Sequence, residues 1–257
     1  MRNLKWLQMG LMLSALVLTA CGGGGGGGSS SNSGPTTADV QGTWSGSYSI
    51  NGGPSNVAVT AAIVQGGYGF FYDSTGTVYV LPSLSGSTTL SGTLTAYAPR
   101  GMTFPNGQTQ EQFSVTGTAS STSISGTFSG NGETGTFSLS PFMPFSGTPS
   151  IVAGQWQGYY AGSGGAISAT VTMGSNGSFT GNDALGCTLS GTISQVASVD
   201  LFTITMTSTG AGCAGNLTGV GYESASDAFG LFGNATGPYF YAGVSNGSQA
   251  FVAEFKL

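Results

Sequence analysis

Along Ser123–Gly130, SISGTFSG, hydroxyl-bearing residues alternate with apolar residues or glycine. Ile124, Gly126, Phe128 and Gly130 fall on one side, and Ser123, Ser125, Thr127 and Ser129 on the other. A period of two belongs to an extended strand with one buried and one wet face. The same layout recurs in LSGTLTA from Leu90, VTGTAS from Val115, TGTFSL from Thr134 and LSGTIS from Leu189. Past Thr37 no stretch combines a helical period with helix caps. Asn-Gly pairs at Asn51, Asn106, Asn131, Asn176 and Asn246 punctuate the runs. Such pairs tolerate the positive φ angles of tight hairpins.

The runs predict strands near 42–50, 57–64, 67–73, 77–82, 87–97, 110–119, 122–130 and 133–140. A second set is expected near 153–161, 166–173, 177–182, 185–194, 200–208, 215–223, 227–235 and 238–245, with 249–256 as a candidate ninth. About eight short antiparallel strands in each half avoid exposed edges by closing into an up-and-down barrel. An open two-sheet sandwich is the alternative. The expected fold is therefore all-β, with two tandem antiparallel β-barrel-like domains. Their interiors combine glycine with aromatic residues. A ring laid over a glycine fills a narrow barrel, so a packed core is expected in preference to a ligand-holding calyx.

GTWSGSY at Gly42–Tyr48 returns as GQWQGYY at Gly154–Tyr160. Each half opens on this Gly-x-Trp-x-Gly-x-Tyr pattern. A Gly-x-Trp on the first strand of a small barrel resembles the lipocalin and avidin group of folds. That resemblance implies that Trp44 and Trp156 are structural plugs, each at one barrel end.

The first 21 residues read MRNLKWLQMGLMLSALVLTAC. Arg2 and Lys5 precede an apolar run that is too short to span a bilayer as a permanent helix. The run ends in Leu18-Thr19-Ala20-Cys21, which resembles a bacterial lipobox. The resemblance implies cleavage before Cys21 and diacylation of its sulfur, so that the membrane is a partner through this anchor. Gly22 stands where an Asp would imply retention in the inner membrane, so the outer membrane is the expected location, periplasmic or surface-facing. A Sec signal cut elsewhere and an uncleaved anchor are the alternatives. GGGGGGGSSSNSGPTT at Gly22–Thr37 offers nothing to build a core and reads as a tether, reaching roughly 20–24 Å as a flexible coil. A glycine run behind a lipidated Cys, with barrels to follow, also resembles surface lipoproteins related to transferrin-binding and factor-H-binding proteins. More generally, the chain resembles proteobacterial lipoproteins with two such halves. The expected organisation is a signal peptide at 1–20, the lipidated Cys and tether at 21–37, a first barrel at 38–140, a Pro-rich linker at 141–150 and a second barrel at 151–257.

Composition removes whole classes of chemistry. The chain has no His, four basic residues and nine acids. Without the leader, Arg100 and Lys256 are the bases that remain, too few for a nucleic-acid footprint. Ser-His-acid and Cys-His catalysis are impossible, and zinc sites lack ligands. No catalytic residue, metal site or cofactor is expected. Most acids sit beside Gly, Asn or Ser and read as turn residues. Asp73 and Asp183 are the first to inspect for an unexpected neighbour. With Cys21 lipidated, Cys187 and Cys213 remain as a pair in an oxidising compartment, where a disulfide is expected. Two separate buried thiols are the alternative.

Two segments depart from the bland pattern. Tyr97–Phe113 is a long connection carrying Arg100, with Tyr97 and Phe104 near it as candidate binding residues. The alternative is a loop folded over a barrel end, with Arg100 paired to an acid or a carbonyl. Phe229–Gly243 is dense in aromatics, some of which must face outward, toward the other domain or toward a partner. The expected role is non-catalytic binding or interaction at the cell envelope, with a protein or a small apolar ligand as the partner. A carrier of a small apolar ligand and a structural envelope lipoprotein are the alternatives.

Overall fold

A computed structural model describes residues 40–85, 89–142, 152–196, 199–225, 227, 232 and 237–256. The leader, Cys21 and the glycine tether lie outside these residues, as does most of the linker. The first domain contains β1 (Gly42–Ile50), β2 (Val57–Ile63), β3 (Gly69–Asp73), β4 (Val78–Leu81), β5 (Leu84–Ser85), β6 (Leu90–Tyr97), β7 (Gln110–Ala119), β8 (Ile124–Gly130) and β9 (Glu133–Pro141). The second contains β10 (Gly154–Gly162), β11 (Gly165–Met173), β12 (Ser178–Asp183), β13 (Thr188–Gln195), β14 (Phe202–Thr209), β15 (Gly215–Ser224), β16 (Tyr239–Ser245) and β17 (Ala250–Lys256).

Both domains are closed antiparallel barrels of eight strands in tandem. In the first, β1 joins β2 and β9, and β4 closes the ring on β6 with Val78 opposite Tyr97. The two-residue β5 lies outside this ring, against the start of β6. In the second, β10 closes on β17 with Gly158 opposite Phe255. The sandwich alternative is therefore set aside. The strand expected at 227–235 lies mostly outside the described residues. Its two described members, Asp227 and Phe232, are not in a strand. The eighth strand is β17, the segment read as a candidate ninth. Alternation over Tyr239–Ser245 and Ala250–Lys256 completes the ring without a further strand.

The repeated motif has one structure in both halves. Trp44 and Trp156 are buried and donate their indole N–H to Val40 O and Val152 O, 2.9 Å away in each case. Gly42 and Gly154 hold φ near +144° and +154°, angles that residues with a Cβ rarely adopt. The backbone can thus fold back so that the residue four before each Trp meets its ring. With Leu84, Leu90, Ile124 and Leu139, Trp44 and Val40 close one end of the first barrel.

Glycine and aromatic residues face each other across strands. Phe128 stands opposite Gly135, Gly126 opposite Phe137, Phe179 opposite Gly191 and Gly158 opposite Phe255. A Cβ on Gly135 or Gly158 would stand 2.3 or 2.2 Å from the facing ring, so the ring occupies the space that glycine leaves open. The outward rows carry Thr-Thr contacts such as Thr116–Thr127 and Thr192–Thr205.

A third apolar cluster joins the two barrels. Phe70, Tyr72, Val78, Val80 and Tyr97 face outward from the first barrel against Val220, Tyr222, Tyr239, Tyr241 and Val252 of the second. Tyr241 stacks on Tyr222 with centroids 5.0 Å apart and on Tyr72 at 6.3 Å. The Tyr72 and Tyr222 hydroxyls are hydrogen-bonded to each other, and the Tyr241 hydroxyl donates to buried Glu254. Desolvation in this layer pushes the Tyr72 phenol up to about 12. Tyr241 of the 229–243 segment thus meets the first domain, whereas Phe232 packs on Tyr159 and Tyr239 of its own domain, and Phe142 of the expected linker packs against the same cluster.

Candidate ligand-binding cavity

The two interiors differ. The first barrel encloses a cavity of about 410 Å³, and the second one of about 90 Å³. The packed interior expected for both barrels describes the second and fails for the first. Flexible Met173 and Met206 fill gaps in the second, whereas no methionine lines the first cavity. The second mouth also receives a side chain from outside, as described below. In the first barrel Phe71, Leu94, Phe128 and Phe137 face inward yet are only half-buried, because their free surfaces line the cavity.

The mouth of the first cavity is formed by Phe104, Pro105 and Asn106 of the β6–β7 loop, with Ile50, Thr77, Asn131 and Glu133 from neighbouring hairpins. It lies at the end opposite Trp44. Just inside sits a polar cluster built on Asp73, the last residue of β3. Asp73 Oδ1 accepts from the Thr75 and Thr77 backbone N–H groups and the Thr75 hydroxyl, at 2.8, 3.2 and 2.6 Å. Oδ2 accepts from the Tyr48 and Tyr79 hydroxyls, at 2.8 and 2.9 Å. Burial first, and then the Asp73 charge, hold both phenols well above their ordinary range, so both keep their protons. Tyr48 and Tyr79 line the cavity, and their rings join Phe128 and Phe113 in edge-to-face contacts.

The second barrel repeats this cluster. The Tyr160 hydroxyl donates to Asp183 Oδ2 at 2.7 Å, and Oδ1 accepts from the Leu185 and Cys187 N–H groups, both at 2.9 Å. Asp73-x-x-Gly76 and Asp183-x-x-Gly186 are the same turn, with φ of 85° and 84° at the glycines. The Tyr160 phenol is raised to about 12, by burial and then by its bond to Asp183.

The sequence candidates separate. Phe104 lines the first cavity. Tyr97 points out of that barrel into the layer between the domains. Arg100 crosses to the other barrel, where its side chain is 19% exposed and 3.9 Å from Asp183 Oδ2. It donates to the Tyr160 hydroxyl at 3.2 Å and to Gly212 O at 2.8 Å, and lies over the Phe251 ring at 5.9 Å. Its own carbonyl accepts from Ser163 N at 2.7 Å. A loop of the first domain thus caps the second barrel. Beside it, Cys187 and Cys213 form a disulfide that ties the β12–β13 and β14–β15 loops. Tyr48 and Tyr79 were missed as site residues. The available signal was an Asp-x-x-Gly turn recurring at a similar distance behind each Trp-x-Gly-x-Tyr.

No protein family matches the chain by sequence, and no curated protein does either.

Proposed function

We propose that the protein is a lipid-anchored, non-catalytic binding protein of the bacterial cell envelope that holds a small apolar molecule in its first barrel. One observation carries this reading: the first barrel keeps an apolar cavity of about 410 Å³ while its duplicate is nearly filled. That volume lies within the range of small-molecule sites, roughly 300–1,000 Å³. A polar cluster at the mouth of an otherwise apolar pocket is the usual arrangement for orienting a ligand. The lipobox pattern at Cys21 supports the anchor. The second barrel then serves as a rigid partner that buries the outer face of β2–β4.

The test is binding of the neutral fluorescent probe N-phenyl-1-naphthylamine to the mature protein. Wild type is expected to enhance its fluorescence saturably. Val115→Trp, which fills the first cavity, should abolish the effect, while Thr192→Trp on the outer surface should not. Equal enhancement by wild type and Val115→Trp would defeat the reading.

A further inference from the structure

The β6–β7 loop, residues 98–109, serves both barrels. Its tip, Phe104-Pro105-Asn106, is part of the rim of the first cavity. Its two shoulders are bonded to the second barrel. On one, Arg100 donates to Gly212 O and the Tyr160 hydroxyl and stands 3.9 Å from Asp183 Oδ2, while its own carbonyl accepts from Ser163 N. Just past the other, Gln110 Nε2 donates to Ser248 O at 2.7 Å. Between these anchors the loop is braced. Ala98 N donates to Thr109 O across its base, at 3.0 Å. At its tip Phe104 N donates to Gln108 O and Gly107 N to Phe104 O, at 2.8 and 2.9 Å. Asn106 Nδ2 ties the tip to Glu111 at 2.7 Å. The other rim residues, Ile50, Thr77, Asn131 and Glu133, sit in or beside short hairpins of the first barrel itself.

The second barrel has the socket for this loop. The two Asp turns run in parallel, as Asp73-x-x-Gly76-x-x-Tyr79 and Asp183-x-x-Gly186-x-x-Leu189. In the first barrel Tyr79 donates to Asp73 Oδ2 beside Tyr48. In the second, Leu189 has no hydroxyl to give, and the Arg100 guanidinium stands by Asp183 Oδ2 beside Tyr160 instead. One Asp is thus served from its own barrel, and the other in part by a loop of its neighbour. We propose that the second barrel is the clamp of the first cavity. Arg100, seated on Asp183, Tyr160 and Gly212, is a positioning residue that holds Phe104–Asn106 over the mouth, and its release lets a ligand pass. A braced loop pivots as a unit, so loosening a shoulder moves the tip. Opening a lid speeds entry and exit together, and therefore changes affinity less than it changes either rate.

The inference rests on the cavity reading, and the experiment separates the two. Binding and release of N-phenyl-1-naphthylamine by the mature protein are followed by stopped-flow fluorescence. Arg100→Ala should raise both rate constants roughly fivefold, the scale expected for losing a partly exposed charged contact, with a smaller change in Kd. Arg100→Lys keeps a charge by Asp183 but loses the fork that reaches Gly212 O and Tyr160 together, and should fall between the two. Tyr160→Phe, in the other barrel, should also raise both rates, and should add little to Arg100→Ala in the double variant. Ile204→Val, in the core of the second barrel, is the control for lost stability and should leave the rates unchanged. Rates that stay unchanged across the Arg100 and Tyr160 variants, or that rise equally in Ile204→Val, overturn the clamp and leave the cavity standing. Absence of probe binding in wild type overturns the cavity reading itself.

Discussion

The Tyr48 hydroxyl donates to Asp73 Oδ2 across 2.8 Å, and Tyr160 makes the same bond to Asp183 at 2.7 Å in the second barrel. Each bond ties the first strand of its barrel to the end of the third. Asp73→Asn keeps the size of the side chain but turns one acceptor into an amide that faces donors. Bonds to charged groups contribute about 1.5–3 kcal/mol each. Asp73→Asn is therefore expected to lower the unfolding free energy by about 2 kcal/mol or more in urea, and Tyr48→Phe by less.

The Cys187–Cys213 bridge closes a loop with a sequence separation of 26. The chain-entropy relation assigns such a loop about 3.5 kcal/mol. Reduction, or Cys187→Ala with Cys213→Ala, should lower the urea midpoint accordingly. If the midpoint holds under reducing conditions, the bridge is not what keeps the second mouth together.

Arg100 leaves its own domain to reach Asp183, the Tyr160 hydroxyl and Gly212 O. Because the side chain is partly exposed, Arg100→Ala is expected to cost only about 1–2 kcal/mol. The sharper readout is local. The Ser163 amide is held by Arg100 O, and its hydrogen exchange should quicken in the variant while exchange at the closed end, around Trp44, stays slow.

Much of this architecture was legible in the sequence because its causes are local. Alternation over two residues marks a strand wherever it occurs, and Gly-x-Trp-x-Gly-x-Tyr fixes the start of each barrel through a bond from Trp44 to a residue four positions away. The site was not legible, because its causes are long-range. Tyr48, Tyr79 and Asp73 meet only once three strands are in register, and nothing near Arg100 in sequence shows that its acid partner is Asp183. The empty first interior depends on volumes summed around a closed ring. Exchanging methionines such as Met173 and Met206 for branched residues leaves the alternation unchanged.

Gly243 of β16 faces Phe70 of β3 across the layer between the barrels. A Cβ added there would lie 2.7 Å from the Phe70 ring. Overpacking of this kind typically costs 1–3 kcal/mol, so Gly243→Ala should destabilise the tandem by about that amount. Gly164→Ala, in a hairpin with open space around it, is the control and should be near neutral. Equal melting temperatures for the two variants would mean that the barrels do not pack through this contact.

Asp200 supplies a pH dependence of the opposite sign to most carboxylates. Burial raises its carboxyl to about 6, offset only in part by the Glu223 backbone N–H. A carboxyl raised on folding binds its proton more tightly in the native state than in the unfolded one. Between its ordinary value near 4 and about 6 the native state holds more protons, so stability falls as pH rises through this window and stays lower above it. Asp200→Asn removes the charge and with it this loss. Urea unfolding below pH 4 and near pH 7 is the measurement. The wild type should lose stability relative to Asp200→Asn between the two, and a constant difference would show that Asp200 titrates alike in both states.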